Sequence, residues 1–245
     1  MDVSFFFYGL LFTVAALYAS VGHGGASGYL ALMAVYSVTP EVMKPTALLL
    51  NLFVSVTAFI QFYRGGYFRW RLFWPFALAS VPLAYAGGLV TIDASLYKKI
   101  LGVLLLFPVA RFVFFRNPQA AIKNENNVLL SLLIGGAIGF LSGLIGIGGG
   151  ILLSPLLLLL KWADQKGAAA VSALFIFVNS LSGLGGQLTK GIQFTSHMYG
   201  FVVVAFAGGV CGAYLGARRF RQSILKNILA SVLLVAVYKL LFTTV

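Results

Sequence analysis

The sequence predicts an all-α polytopic membrane protein made of two inverted repeats. Each repeat is expected to hold a glycine-broken helical hairpin, re-entrant or discontinuous, plus about three full transmembrane helices. Three observations lead there. The 245 residues are 60% hydrophobic and only 9% charged, with a mean hydropathy of +0.99. A soluble domain carries about 25% charged residues, so this chain cannot cover a water-facing surface. The apolar runs are long and do not alternate, which excludes a β-barrel. Finally, glycine clusters interrupt both halves, as VGHGGASG over residues 21–28 and GFLSGLIGIGGGILLSP over residues 139–155.

The elements follow in order. A first apolar segment covers residues 3–21, and residues 1–12 lack the basic n-region and cleavage site of a signal peptide. After the first break, residues 29–38 form an apolar piece about half as long as a ~30 Å hydrocarbon core requires. Spanning segments follow at 45–63, 72–90 and 96–115, with a basic loop at 64–71. A polar linker, RNPQAAIKNENN, covers 116–127. The second half repeats the order: 128–145, the break, a short piece at 151–160, then segments at 167–188, 198–217 and a last one ending near residue 242. Residues 1–115 are thus read as one membrane repeat, 116–127 as a cytoplasmic linker and 128–245 as the second repeat.

The halves superimpose as sequences. Val21-Gly22-His23-Gly24-Gly25-Ala26 aligns on Ile145-Gly146-Ile147-Gly148-Gly149-Gly150, and Arg64-Gly65 on Lys190-Gly191. An odd number of crossings per half inverts the second against the first. The loops at 64–71, 116–127, 161–166 and 218–226 then share one side and carry most of the 17 Lys and Arg residues. By the positive-inside rule that side is cytoplasmic and both termini lie outside. The same rule explains the net charge of +12 without nucleic acid.

The polar residues point to a small anion more than to a cation. Asp2, Glu41, Asp93, Glu125 and Asp164 all fall in loops or at segment ends, so no carboxylate relay crosses the membrane. A single cysteine, Cys211, excludes an internal disulfide and a cysteine metal cluster; no metal or cofactor is expected. After each glycine break a short helix begins. Its N-terminus presents unsatisfied N–H groups and roughly +0.5 of a charge. Two such ends facing each other make an anion site without a buried cation. The candidate site residues are His23, Gly24, Gly25 and Ser27 from the first break and Gly146, Gly148, Gly149 and Gly150 from the second. Asn51, Ser172 and Asn179 are expected to complete the shell. His23 is the candidate carrier of a coupled proton. Gly139 and Gly143, one helical turn apart, read as a packing seam instead.

Two other classes stay open at this point. Gly25-Ala26-Ser27-Gly28 matches the GxSG pattern of intramembrane serine hydrolases, with Ser27 as nucleophile and His197 as its partner. A non-transporting assembly subunit is the other.

The glycine motif GIGGGILLSPLL at residues 146–157, followed by an Ala-rich stretch ending at Ser172, resembles the TauE/SafE sulfite exporter family of membrane permeases. Gly22-His23-Gly24-Gly25-Ala26-Ser27-Gly28 fits the first-repeat version. The resemblance covers nearly the whole chain. It implies transport of small anions such as sulfite, sulfoacetate or thiosulfate. Two departures stand out: His23 where apolar residues are usual, and a Thr-Ser pair reduced to Thr46-Ala47 and Val171-Ser172. The expected partners are a small anionic substrate, the lipid bilayer of a bacterial inner membrane, a coupled proton and a second copy in a homodimer.

Overall fold

The computed structural model describes residues 5–20, 25–114, 127–192, 196–216, 234 and 236–242. Helix is the regular structure throughout these residues: α1 (Phe5–Ser20), α2 (Ala26–Val35), α3 (Pro40–Arg64), α4 (Trp70–Leu89), α5 (Ala94–Phe114), α6 (Val128–Ile145), α7 (Gly150–Leu159), α8 (Gln165–Leu188) and α9 (Ser196–Gly216). Residues 236–242 are helical as well. The first break's residues 21–24, the linker at 116–126 and the basic loop at 218–226 lie outside the described residues.

Length separates two kinds of helix. At 1.5 Å per residue, the 25 residues of α3 reach about 37 Å and the 10 residues of α2 or α7 only about 15 Å. Among the described residues, α3, α4, α6 and α8 are long and apolar enough to cross a membrane. The start of α3 corrects the sequence reading, which began this segment at residue 45. Thr39 is its N-cap and Pro40 takes the first helical position, where a missing N–H costs nothing. Pro45 lies inside the helix, and the carbonyl it leaves unpaired belongs to Glu41, an exposed residue near the helix start. On the opposite face, side-chain caps start α6 and α8: Asn127 Oδ1 accepts from Leu130 N (3.1 Å) and Asp164 Oδ1 from Gly167 N (2.8 Å).

Small residues set the helix pairing. Gly135, Gly139 and Gly143 of α6 lie against Phe76, Ser80 and Ala84 of α4, in rising order on both helices. The pair is therefore parallel and in close backbone contact. This is the seam the Gly139–Gly143 spacing predicted, extended by one more turn. Gly208 and Gly212 of α9 lie against Phe12 and Ala16 of α1, also parallel. α3 and α8 cross between these pairs and run antiparallel: Leu48 touches the space beside Gly183, and Asn51 bonds to Ser180. α2 and α7 each turn back. The Tyr36 ring, just past α2, packs edge-on against Phe7 at the start of α1, with centroids 5.0 Å apart. Trp162, just past α7, lies 6.2 Å from Phe76, and the Arg69 guanidinium donates to its carbonyl. Tyr97 of α5 donates to the Ile145 carbonyl at 2.8 Å, satisfying one of the last carbonyls of α6.

Candidate functional site

The two short helices start in the same way. Each has a glycine N-cap in the left-handed region, Gly25 at φ 87° and Gly149 at φ 77°, and neither N-cap supplies a side-chain hydrogen bond. An ordinary N-cap offers a serine, threonine or aspartate oxygen to the first N–H groups. Here the cap offers no side-chain acceptor to them. The second break holds three left-handed glycines, Gly146, Gly148 and Gly149. Gly146 sits beside Lys44 near the start of α3, and Gly148 sits beside Asn51 near its middle. The backbone of the break therefore descends from the end of α6 to the depth of Asn51 before α7 begins.

A small cavity of about 10 Å³ lies where the breaks meet, room for about one water. Gly25, Ala26 and Ser27 line it from the first half, with Tyr18 of α1 and Asn51 of α3. Ile147, Ile151 and Ile176 line it from the second. Ser27 Oγ donates to Tyr18 OH at 2.8 Å. Asn51 Nδ2 donates to Ser180 Oγ at 3.2 Å, and Asn51 Oδ1 is buried with no protein partner. Both Ser27 and Asn51 are buried, so the cavity mixes hydroxyl and amide groups with a wall of isoleucines.

The structure brings some of the expected residues together and leaves others apart. Gly25, Ser27 and Asn51 border the cavity. Gly148 stands against Asn51, Ile176 and Ser180, while Gly149 packs on Ile138 and Phe175. Gly150 packs on Ile176 and the Ser172 carbonyl. The Ser172 hydroxyl, however, meets Ser154 Oγ (2.8 Å), away from the cavity lining. Asn179 Nδ2 donates to the Phe175 carbonyl at 2.8 Å within its own helix, leaving Oδ1 buried and unpartnered. His23 and Gly24 lie outside the described residues, as does the side chain of His197. Sequence reasoning missed Tyr18 and Ser180. A tyrosine three residues before a break at Val21 is the available signal for the first; the second needed the α3–α8 register.

Comparison with known proteins agrees with the resemblance that the glycine motif carries. The family described as "Sulfite exporter TauE/SafE" matches residues 7–240. A "probable membrane transporter protein y4hK" of Sinorhizobium fredii is 36% identical over 235 residues, covering 94% of this chain and 95% of that protein. A "probable membrane transporter protein YjnA" of Bacillus subtilis is 27% identical, covering 98% of this chain and 100% of that protein. The "Sulfite exporter TauE/SafE family protein 1" of Arabidopsis thaliana is 32% identical over 94 residues, 38% of this chain and 21% of its own length. No solved structure matches. The chain belongs to the TauE/SafE sulfite exporter family of membrane permeases, over nearly its whole length.

Proposed function

We propose that this chain is a secondary permease for a small anion, moved by alternating access between two inverted repeats. The anion class is a sulfur-containing oxyanion or organosulfonate, such as sulfite, sulfoacetate or thiosulfate. The observation that carries this reading is the pair of glycine-capped half-helices, α2 and α7, whose first turns, through Ala26 and Ser27 on one side and Ile151 on the other, line one buried cavity beside Asn51. Two helix ends supply roughly one positive charge between them, enough for a monovalent anion with no buried cation. The rival hydrolase reading needs a general base on Ser27, and the group Ser27 meets is the Tyr18 phenol.

Helix directions support the inverted arrangement. α1, α3 and α9 run one way and α4, α6 and α8 the other, so residues 1–115 and 128–245 are opposed repeats with the linker at 116–127 between them. The same directions gather the loops at 65–69 and 160–164 on one face. Lys166 Nζ donates to Tyr67 OH (2.9 Å) between those loops. We assign this basic face to the cytoplasm of a bacterial inner membrane and both termini to the outside.

The substrate class is tested by thermal stabilisation of the purified protein with sulfite, thiosulfate, sulfoacetate, sulfate and carboxylates. At least one sulfur anion is expected to stabilise it; a response to carboxylates alone sinks the assignment. Asn51→Leu is expected to weaken that response at least about tenfold, the value of one hydrogen bond to a charged group. Ser27→Ala is expected to reduce flux modestly, because the N–H donors remain.

A membrane potential of ~100 mV, negative inside, favours exit of one negative charge by roughly 2.3 kcal/mol. An uncoupled permease therefore exports, and uptake needs a coupled cation, which we take to be a proton. His23 is our candidate for that proton. Flux into proteoliposomes is expected to lose its dependence on a proton gradient in His23→Gln; a gradient dependence equal to wild type assigns the proton elsewhere.

A further inference from the structure

The face opposite the basic loops holds a second feature. Lys44 Nζ lies 3.5 Å from the Gly88 carbonyl and 3.3 Å from the Val90 carbonyl. Lys190 Nζ donates to Thr91 Oγ1, three residues from Gly88. Two ammonium groups, one from α3 and one from the turn after α8, thus converge on one short stretch at the end of α4. Capping the last carbonyls of α4 needs one cation. The second adds repulsion and draws anions.

Lys44 stands over the second break. A methyl on Gly146 would lie 3.2 Å from Lys44 Cα. Below the lysines runs a polar seam. Lys44, Asn51 and Ser55 share one stripe of α3, at i, i+7 and i+11. The contacts Leu48–Gly183 and Asn51–Ser180 fix the antiparallel register, which sets Gln187 of α8 across from Lys44. Gln187 Nε2, Ser142 Oγ and Asn51 Oδ1 are all buried without a protein partner. Ser142 lies one turn beyond Ile138, on the face of α6 that meets Gly149. A buried unsatisfied polar atom costs about 1–3 kcal/mol, so a column of them marks a path that polar groups occupy. Ser55 Oγ, one turn past Asn51, is buried and unpartnered as well, while the Ser154 and Ser172 hydroxyls satisfy each other.

We propose that Lys44 and Lys190 form an anion vestibule, and that the α3–α8 seam beneath them, past Gln187 and Asn51, leads an anion from that face to the cradle. This deepens the transport reading and rests on it. It places a binding site, for small anions generally, some seven residues of helix, about 10 Å, from Asn51.

The test uses thiol chemistry, which needs no known substrate. Cys211, the lone cysteine and exposed, is first replaced by serine. Gln187→Cys and, as a smaller change, Ser142→Cys are then treated in sealed vesicles with two methanethiosulfonates, one bearing an ethylsulfonate and one an ethyltrimethylammonium group. From the face of Lys44 the anionic reagent is expected to react about tenfold faster than the cationic one, each rate taken relative to that reagent's rate with a free thiol in solution, as focusing by a charged cleft gives. In a Lys44→Gln, Lys190→Gln background the ratio is expected to fall to about one. Lack of reaction at both positions, reaction only from the basic face, or a ratio unchanged by removing the lysines overturns the vestibule. Ser154→Cys, treated in the same way, is expected to stay unreactive from this face; rapid labelling there also overturns it. Sulfite flux by the wild-type protein is measured separately. Its absence, with charge-selective labelling intact, counts against sulfite transport and not against the vestibule.

Discussion

Replacing Gly148 by alanine is expected to lower anion flux in proteoliposomes by at least tenfold, about 1.4 kcal/mol or more of lost function, while the protein stays folded. Two costs fall on this position together. Its φ of 71° is left-handed, which disfavours any residue with a Cβ by about 1–2 kcal/mol. The added methyl would also collide with Asn51 Nδ2, and would lie 2.9 Å from Ile176 Cγ2 and 3.1 Å from Ser180 Oγ. Overpacking of this kind costs about 1–3 kcal/mol. Asn51 cannot give way freely, because its amide is tied to Ser180 and both are buried. The break itself is the softer partner, so the N-terminus of α7 shifts and the cradle loses its geometry. Gly191 is the control. It too is left-handed, at φ 76°, but a Cβ there meets open space. Alanine at Gly191 carries the strain without the collision and is expected to keep flux. Equal loss of flux in both variants would show that backbone strain alone matters, and would remove Gly148's contact with Asn51 from the mechanism.

The difference between these two glycines shows what the sequence can and cannot say. Gly148 sits in a glycine cluster, from which its left-handed use is legible, whereas Gly191 is a lone glycine in the loop after α8. The segment limits were legible because apolar runs and polar loops alternate sharply: residues 128–145 and 167–188 fall on α6 and within α8. The start of α3 was not, because prolines read as helix stops, whereas Pro40 stands where no helical N–H is needed and Pro45 leaves unpaired only the carbonyl of exposed Glu41. The pairing of breaks was legible from the repeated motif, and Gly25, Ser27 and Asn51 do border one cavity. Ser172 was misplaced because a serine in an apolar helix finds partners on several faces. Only the packed α7–α8 geometry directs it to Ser154. Tyr18 and Ser180 were invisible for a related reason. Each acts through a partner on another element, Ser27 and Asn51, and a helix-to-helix register is not written in either segment alone.

Alanine at Gly143 is expected to destabilise the protein by about 3–5 kcal/mol, at the upper end of what one added methyl does. The methyl would fall on the Ala84 carbonyl oxygen, 2.7 Å from its carbon and 2.8 Å from Gly88 N. These are backbone atoms of α4, which cannot rotate aside as a side chain can. Relief requires α4 and α6 to part along the seam, and the contacts of Gly135 with Phe76 and of Gly139 with Ser80 are lost with it. In a bilayer this close packing is the main attraction between the two helices, since lipid is as apolar as leucine. Gly136→Ala in the same helix is the discriminating comparison. Its methyl would meet Leu83 Cδ1 at 2.9 Å and Ala79 Cβ at 3.7 Å, the first being the movable end of a side chain. Alanine also favours helix over glycine by about 1 kcal/mol, so this change is expected to be neutral or mildly stabilising. Thermal unfolding in detergent separates the two. If both variants lose stability alike, glycine serves α6 through flexibility and not through contact. If only Gly143→Ala does, the parallel α4–α6 pair is the rigid frame that fixes the end of α6. The second break starts from that end, which is why a packing residue one turn before Gly146 bears on the proposed anion cradle at all.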